Sequence, residues 1–213
     1  MNSTLAAREN GDPFADVSPP AAGTSRRKRS QRAVPCSFAL PPRSNRAYSY
    51  EPFAMLIDLH SHTWPRSHDS VLNPDDLVTR AKSAGLDAIV FTEHDTVWDY
   101  KSIEELRAKH NFLVLAGVAI STDDGHILAF GIDKYGFGMH RARELASYVD
   151  KANGAMVAAH PYRRQMPWFS RNEEEYRAAL EKASRNPAYQ YVQGLEEING
   201  RGSDKENEFS RRL

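Results

Sequence analysis

Lysine plus arginine equals aspartate plus glutamate at 28 each over 213 residues, so overall charge argues against a polyanionic partner and against a membrane surface. A single cysteine, Cys36, excludes a disulfide framework and makes a reducing, cytoplasmic setting the expectation. No stretch approaches the roughly 20 apolar residues of a membrane span, and no apolar signal segment opens the chain.

Residues 1–54 are rich in Pro, Ser, Ala and Arg, hold few large aliphatics and show neither a strand nor a helix period. That composition predicts a disordered basic tail. Its cluster RRKR at 26–29 is either a solvated stretch or a nuclear-localisation or nucleic-acid patch. Met55 stands directly before the first predicted strand, and the second unit is expected over 55–213.

From Met55 onward, short apolar runs alternate with amphipathic stretches. MLIDL (55–59) predicts a strand. NPDDLVTRAKSAG (73–85) predicts a helix, with Asn73 as N-cap, Pro74 in the first turn and Gly85 at its end. LDAIVFT (86–92) predicts a second strand and SIEELRAKH (102–110) a helix. Strands follow around 112–120 and 126–132, then a helix over 141–154, a strand at 155–160 and a helix at 172–185. The last apolar run is GLEEIN (194–199). Strand–helix units with nearly all-apolar strands predict an α/β fold on a mainly parallel sheet, and a barrel suits the count better than an open sheet.

The histidines are not scattered. In LIDLHSHT (56–63), His60 and His62 lie two apart at a strand end, so both imidazoles leave on one side. His94 in FTEHD (91–95) ends the second strand, His160 in AAHPYR (158–163) ends a later one, and His126 in DDGHIL begins another. The C-terminal strand ends of an α/β barrel form its functional face. Convergence of these side chains predicts a divalent-metal site, with Asp69, Glu93 and Asp95 as nearby carboxylates. Imidazole with carboxylate suits zinc, manganese or iron. Arg163 and Arg164, just past His160, are candidates to neutralise phosphate oxygens or are ordinary surface arginines. His110 and His140 flank helices and are expected to be structural; His68 is left open.

DLHSHT, TEHD, GHILAFGI, AAHPYR and LEEINGR together resemble the polymerase and histidinol phosphatase (PHP) domain in its small stand-alone form, from about Met55 onward. The resemblance implies a distorted seven-stranded (β/α) barrel with two or three divalent ions that hydrolyses phosphate esters of a nucleotide or small metabolite. It implies metal ligands at His60, His62, Asp69, His94, His126 and His160. Catalysis would centre on His60, His62, Asp69, His94 and His160, with Arg163 and Arg164 toward substrate. Glu196 and Asn199 match a family pattern without an assigned role.

Two departures from the family stand out. GVAIST (117–122) carries Ala119 where the family usually has a metal-bridging glutamate: a natural loss, a deliberate substitution, or a role taken over by Asp123 or Asp124 from nearby. The family's further strand with its Asp-x-His motif is absent from this sequence, so the barrel is expected to be incomplete. Three alternatives therefore accompany the phosphoesterase reading. They are a degenerate relative that binds metal or ligand without efficient catalysis, a C–N hydrolase of the amidohydrolase class, and nucleic-acid binding by the basic tail.

Overall fold

The computed structural model describes residues 55–167 and 172–213; the tail expected over 1–54 lies outside them. The elements run β1 (Ile57–Ser61), α1 (Pro74–Ser83), β2 (Ala88–His94), α2 (Tyr100–His110), β3 (Leu113–Thr122), β4 (Gly125–Phe130), α3 (Ala142–Lys151), β5 (Ala155–Ala158), α4 (Glu173–Ser184), β6 (Gly194–Leu195) and α5 (Asp204–Arg211). A short 3₁₀ turn over Pro187–Gln190 leads into β6. α1 starts as its sequence dictates: Asn73 Oδ1 accepts the Asp76 amide at 2.9 Å, and Pro74 occupies the first turn, where its missing donor costs nothing. Gly85 then turns the chain at φ +81°, a region that disfavours a β-carbon.

The six strands form one sheet in the order β1-β2-β3-β4-β5-β6. β1, β2 and β3 are parallel, as are β5 and β6. β4 runs antiparallel to both neighbours, because a tight hairpin at Asp123–Asp124 joins β3 to it and leaves no room for a crossover helix. The expected parallel sheet is thus interrupted by one reversed strand. That reversal brings the start of β4 to the edge where β1, β2, β3 and β5 end.

Helices cover one side of the sheet. Val78 and Ala81 of α1 and Ile103 and Leu106 of α2 bury Ile89, Phe91 and Val114. Leu145 and Val149 of α3 close a second core over Val118, Ile120, Ile127 and Met156. β1 and β6 lie at opposite ends of the strand order, yet His60 Nδ1 donates to Glu196 Oε1 at 3.0 Å. The sheet is therefore curled until its two ends meet at the rim, a six-stranded half-barrel. The resemblance implied seven strands; the described residues hold six. No helix among the described residues is long and apolar enough to cross a membrane.

Candidate metal centre

The strand ends bring five of the predicted ligands into a closed circuit. Ring centroids are 5.0 Å apart for His60–His62, 4.4 Å for His62–His94, 5.3 Å for His94–His126, 5.1 Å for His126–His160 and 5.5 Å for His160–His60. His126 joins from the beginning of its strand because β4 is reversed. Asp69 comes in from the loop after β1, with Oδ2 3.3 Å from His94 Nε2. Ligand atoms of His62, Asp69 and His94 lie within 4.8 Å of one another.

The hydrogen bonds around the circuit fix which nitrogens carry protons. His60 Nδ1 faces the Glu196 carboxylate at 3.0 Å and must donate to it. Ser67 Oγ donates to Glu93 Oε2, so it can only accept from His62 Nδ1, 3.3 Å away. Both Nδ1 atoms are committed as donors, and the two Nε2 lone pairs face each other at 3.1 Å. Two opposed lone pairs repel unless a cation lies between them. Tetrahedral zinc with bonds of about 2.0–2.1 Å separates two imidazole nitrogens by about 3.3 Å, so the pair fits a divalent ion with almost no movement. Imidazole oriented by a carboxylate behind it is the usual arrangement at metal centres.

Glu196 does more than orient His60. Its Oε2 accepts the amide of His160, and Asn199 Nδ2 donates to Oε1 at 3.0 Å. His160 sits at φ +31°, a backbone that a β-carbon resists, and this amide bond helps hold it there. Burial works against the charge of Glu196, but the bonds from His60, Asn199 and the His160 amide hold its carboxyl below the usual range. Glu93, fully buried in β2, accepts from the amide and hydroxyl of Thr63, from Ser67 Oγ and from Trp98 Nε1 at 2.9 Å. With its oxygens so occupied it serves as the anchor of the His62 side, not as a ligand.

Burial lowers the pKa of His62 to about 4 and that of His160 to about 3, the latter helped by the Arg163 charge. Burial, His94 and Arg163 lower His126 as well. These rings are neutral near pH 7, the form that binds metal. Burial opposes the charge of Asp69, but His62 and His94 beside it hold its carboxyl low. His126 Nδ1 is buried without a hydrogen-bond partner.

Arg163 and Arg164 do not touch the circuit through hydrogen bonds. They line a cleft of about 340 Å³ beside it, with His126, His160, Asp124 and Tyr189. Ala119 is fully buried, paired with His94 on β2 and Leu128 on β4. Asp123 and Asp124 are not among the clustered ligand atoms; Asp123 is exposed on the hairpin. His68 is exposed and outside the circuit. His110 bonds Asp75 at 2.6 Å and ties α2 to α1, a structural role as expected.

Several contributors escaped sequence reasoning. Ser67 and Thr63 carry no signal by type. Glu93 was read as a carboxylate beside the metal site and not as a buried anchor, and Glu196, the first glutamate of LEEIN, matched a family pattern without a role. Arg201, whose Nη1 donates to the Asp69 carbonyl at 3.1 Å and lies 3.7 Å from its carboxylate, was not singled out.

Comparison with known proteins bears on the family and the fold. The chain is 35% identical over 75 residues to a PolC-type DNA polymerase III of Oceanobacillus iheyensis, covering 35% of this chain but only 5% of that polymerase. It is 26% identical over 117 residues to an uncharacterized protein of Methanocaldococcus jannaschii, covering 51% of this chain and 68% of that one. A protein of Bifidobacterium adolescentis assigned as a metal-dependent phosphoesterase superposes with a TM-score of 0.51 at 17% identity, covering 73% of this chain and 81% of that one. An amidohydrolase of Chromobacterium violaceum gives 0.50 at 18% identity, covering 71% and 80%. These two structures share the fold. The PHP domain family model matches residues 58–208, and the chain belongs to the PHP domain family.

Proposed function

We propose that this chain is a metal-dependent phosphoesterase acting on a nucleotide or small phosphorylated metabolite. The observation that carries the reading is the opposed pair of His60 and His62 Nε2 lone pairs at 3.1 Å, each ring held in that tautomer by a partner on Nδ1. His60, His62, Asp69, His94, His126 and His160 would hold zinc, manganese or iron. Bound there, a divalent ion supplies a water acidified toward neutrality and polarises a phosphoryl oxygen. Glu196 keeps the His60 proton on Nδ1, and Ser67 with Glu93 does the same for His62. Arg163 and Arg164 stand beside the circuit where they would take phosphate oxygens and offset the charge that builds in the transition state. The family's distorted seven-stranded barrel and its binuclear or trinuclear centre belong to the same proposal.

The test is hydrolysis of p-nitrophenyl phosphate and of a nucleoside monophosphate, with manganese or zinc added to metal-stripped protein. Metal-dependent release of phosphate, lost in His60→Ala with the fold retained by circular dichroism, is the expected result. Hydrolysis of amides with none of phosphate esters would overturn it in favour of C–N chemistry. A second reading rests on Ala119: without a carboxylate opposite His94, the chain binds metal and ligand but turns over poorly. Metal uptake without turnover on either substrate would select it.

A further inference from the structure

Asp69 reaches the histidines from a loop that has almost no core of its own. From Trp64 to Asn73 only Ser67 is buried, and the neck is closed by a backbone bond from the Trp64 amide to the Leu72 carbonyl at 2.7 Å. A segment with so few buried contacts opens locally at little cost unless groups outside it hold it. Arg201 holds the tip, donating to the Asp69 carbonyl at 3.1 Å. A second hold starts in the loop itself. The Arg66 guanidinium lies over the Trp98 ring, 3.9 Å from its centroid, and Asp99 Oδ2 stands 3.8 Å from Arg66 Nη2 to match the charge.

Trp98 is a fixed platform. Its ring centroid is 5.5 Å from that of Phe91, and its Nε1 donates to Glu93 Oε1 at 2.9 Å. Asp99 is fixed as well, because it caps α2 by accepting the Ser102 amide at 2.9 Å. Glu93 also accepts from Ser67 Oγ, so the neighbours Arg66 and Ser67 are both moored to the Trp98–Glu93 unit. Asp69 follows Arg66 by three residues. A guanidinium over an indole shifts an equilibrium by about 2–30-fold, enough to decide whether so bare a loop stays docked.

We infer, resting on the metal-centre reading above, that Arg66 and Trp98 are a positioning pair. Their stacking holds the loop so that the Asp69 carboxylate stands ready beside His62 and His94, and so sets the affinity for a divalent ion there. Neither side chain is a ligand. With the clamp in place the loop is ordered on folding, and binding does not have to order it again. Without the clamp the same ligands remain, but that ordering is charged against every binding event.

The experiment is competition for manganese(II) between a fluorescent chelator and metal-stripped full-length chain, in the wild type, Arg66→Met and Arg66→Lys, each also carrying Asp69→Asn. Arg66→Met keeps the reach of the side chain and loses the cation, so affinity should fall about 3–10-fold with the thermal midpoint unchanged. Arg66→Lys, which keeps the cation, should recover part of the loss. In the Asp69→Asn background Arg66→Met should cost nothing further, the signature of two residues acting as one unit. Amide hydrogen exchange gives an independent readout that needs no metal: in Arg66→Met it should speed up over residues 64–70 and nowhere else. Unchanged affinity in Arg66→Met, an equal loss with and without Asp69, or unchanged exchange over 64–70 would overturn the inference while leaving the metal centre intact. A wild-type chain that takes up no manganese would instead overturn the metal-centre reading, and this inference with it.

Discussion

Two carboxylates, the buried Glu93 and the half-buried Glu196, hold the candidate site by occupying the far side of its histidines. Neither is free to ligate, yet each decides a tautomer: Glu196 directly on His60, Glu93 through Ser67 on His62. Removing such a partner at a metal centre typically costs about 10–100-fold in affinity. Glu196→Gln keeps an acceptor for His60 but loses the charge, so manganese affinity should fall toward the lower end of that range, and Glu196→Ala toward the upper. Competition against a fluorescent chelator measures both; unchanged affinity in the alanine variant would remove Glu196 from the site. Glu93→Ala strands several buried donors at about 1–3 kcal/mol each, so its main effect should be on stability. A drop in the urea midpoint larger than any loss in metal affinity is the expected outcome.

The elements carry these residues by ordinary local rules, and most of them were legible. Asn73 and Pro74 begin α1, apolar runs make β2 and β3, and each lands within a few residues of where the sequence placed it. β4 is the exception that matters. Its run reads as one more strand, but direction is set by the two-residue hairpin before it, and that reversal delivers His126 to the rim. α5 was not anticipated, because DKENEFSR buries little beyond Phe209 and Ser210. Its signal was a capping box, Ser203 with Glu206. α5 also supports the site: Asn207 Oδ1 accepts the Asn199 amide at 3.0 Å and steadies the turn that presents Glu196. Between α3 and β5, a β-carbon on Gly154 would meet the Phe130 carbonyl oxygen at 2.1 Å. Backbone cannot yield as a side-chain tip can, so Gly154→Ala should destabilise the fold by about 1–3 kcal/mol. Thermal melts check this against Gly200→Ala, whose β-carbon meets nothing within 4 Å.

At the scale of the whole molecule, curling the sheet concentrates imidazoles where water is scarce, and stability becomes pH-dependent. His62 and His160 titrate near about 4 and about 3 in the fold but at 6.5 when free. The unfolded chain therefore binds more protons across that interval, and stability falls as pH drops from about 6.5 toward 3. The depressed carboxyl of Glu196 adds a loss of the same sign below the usual carboxylate range. Urea unfolding of metal-stripped protein at pH 7.5, 6 and 5 should show a steadily falling midpoint. A flat profile would mean that these rings are not buried as neutral bases. Added metal should steepen the dependence, since protons and ion compete for the same nitrogens.

The sequence by itself determined the α/β class, the order of most elements and the identity of the clustered histidines. Period, caps and strand-end placement are local properties, written within a few residues of where they act. The tertiary structure alone decided the reversal of β4, the meeting of β1 with β6, and the work of Glu93, Glu196 and Ser67. Those depend on contacts between residues up to 136 positions apart, as for His60 and Glu196. No local pattern encodes a proton's position on an imidazole; only the partner that curling of the sheet brings to its other nitrogen can fix it.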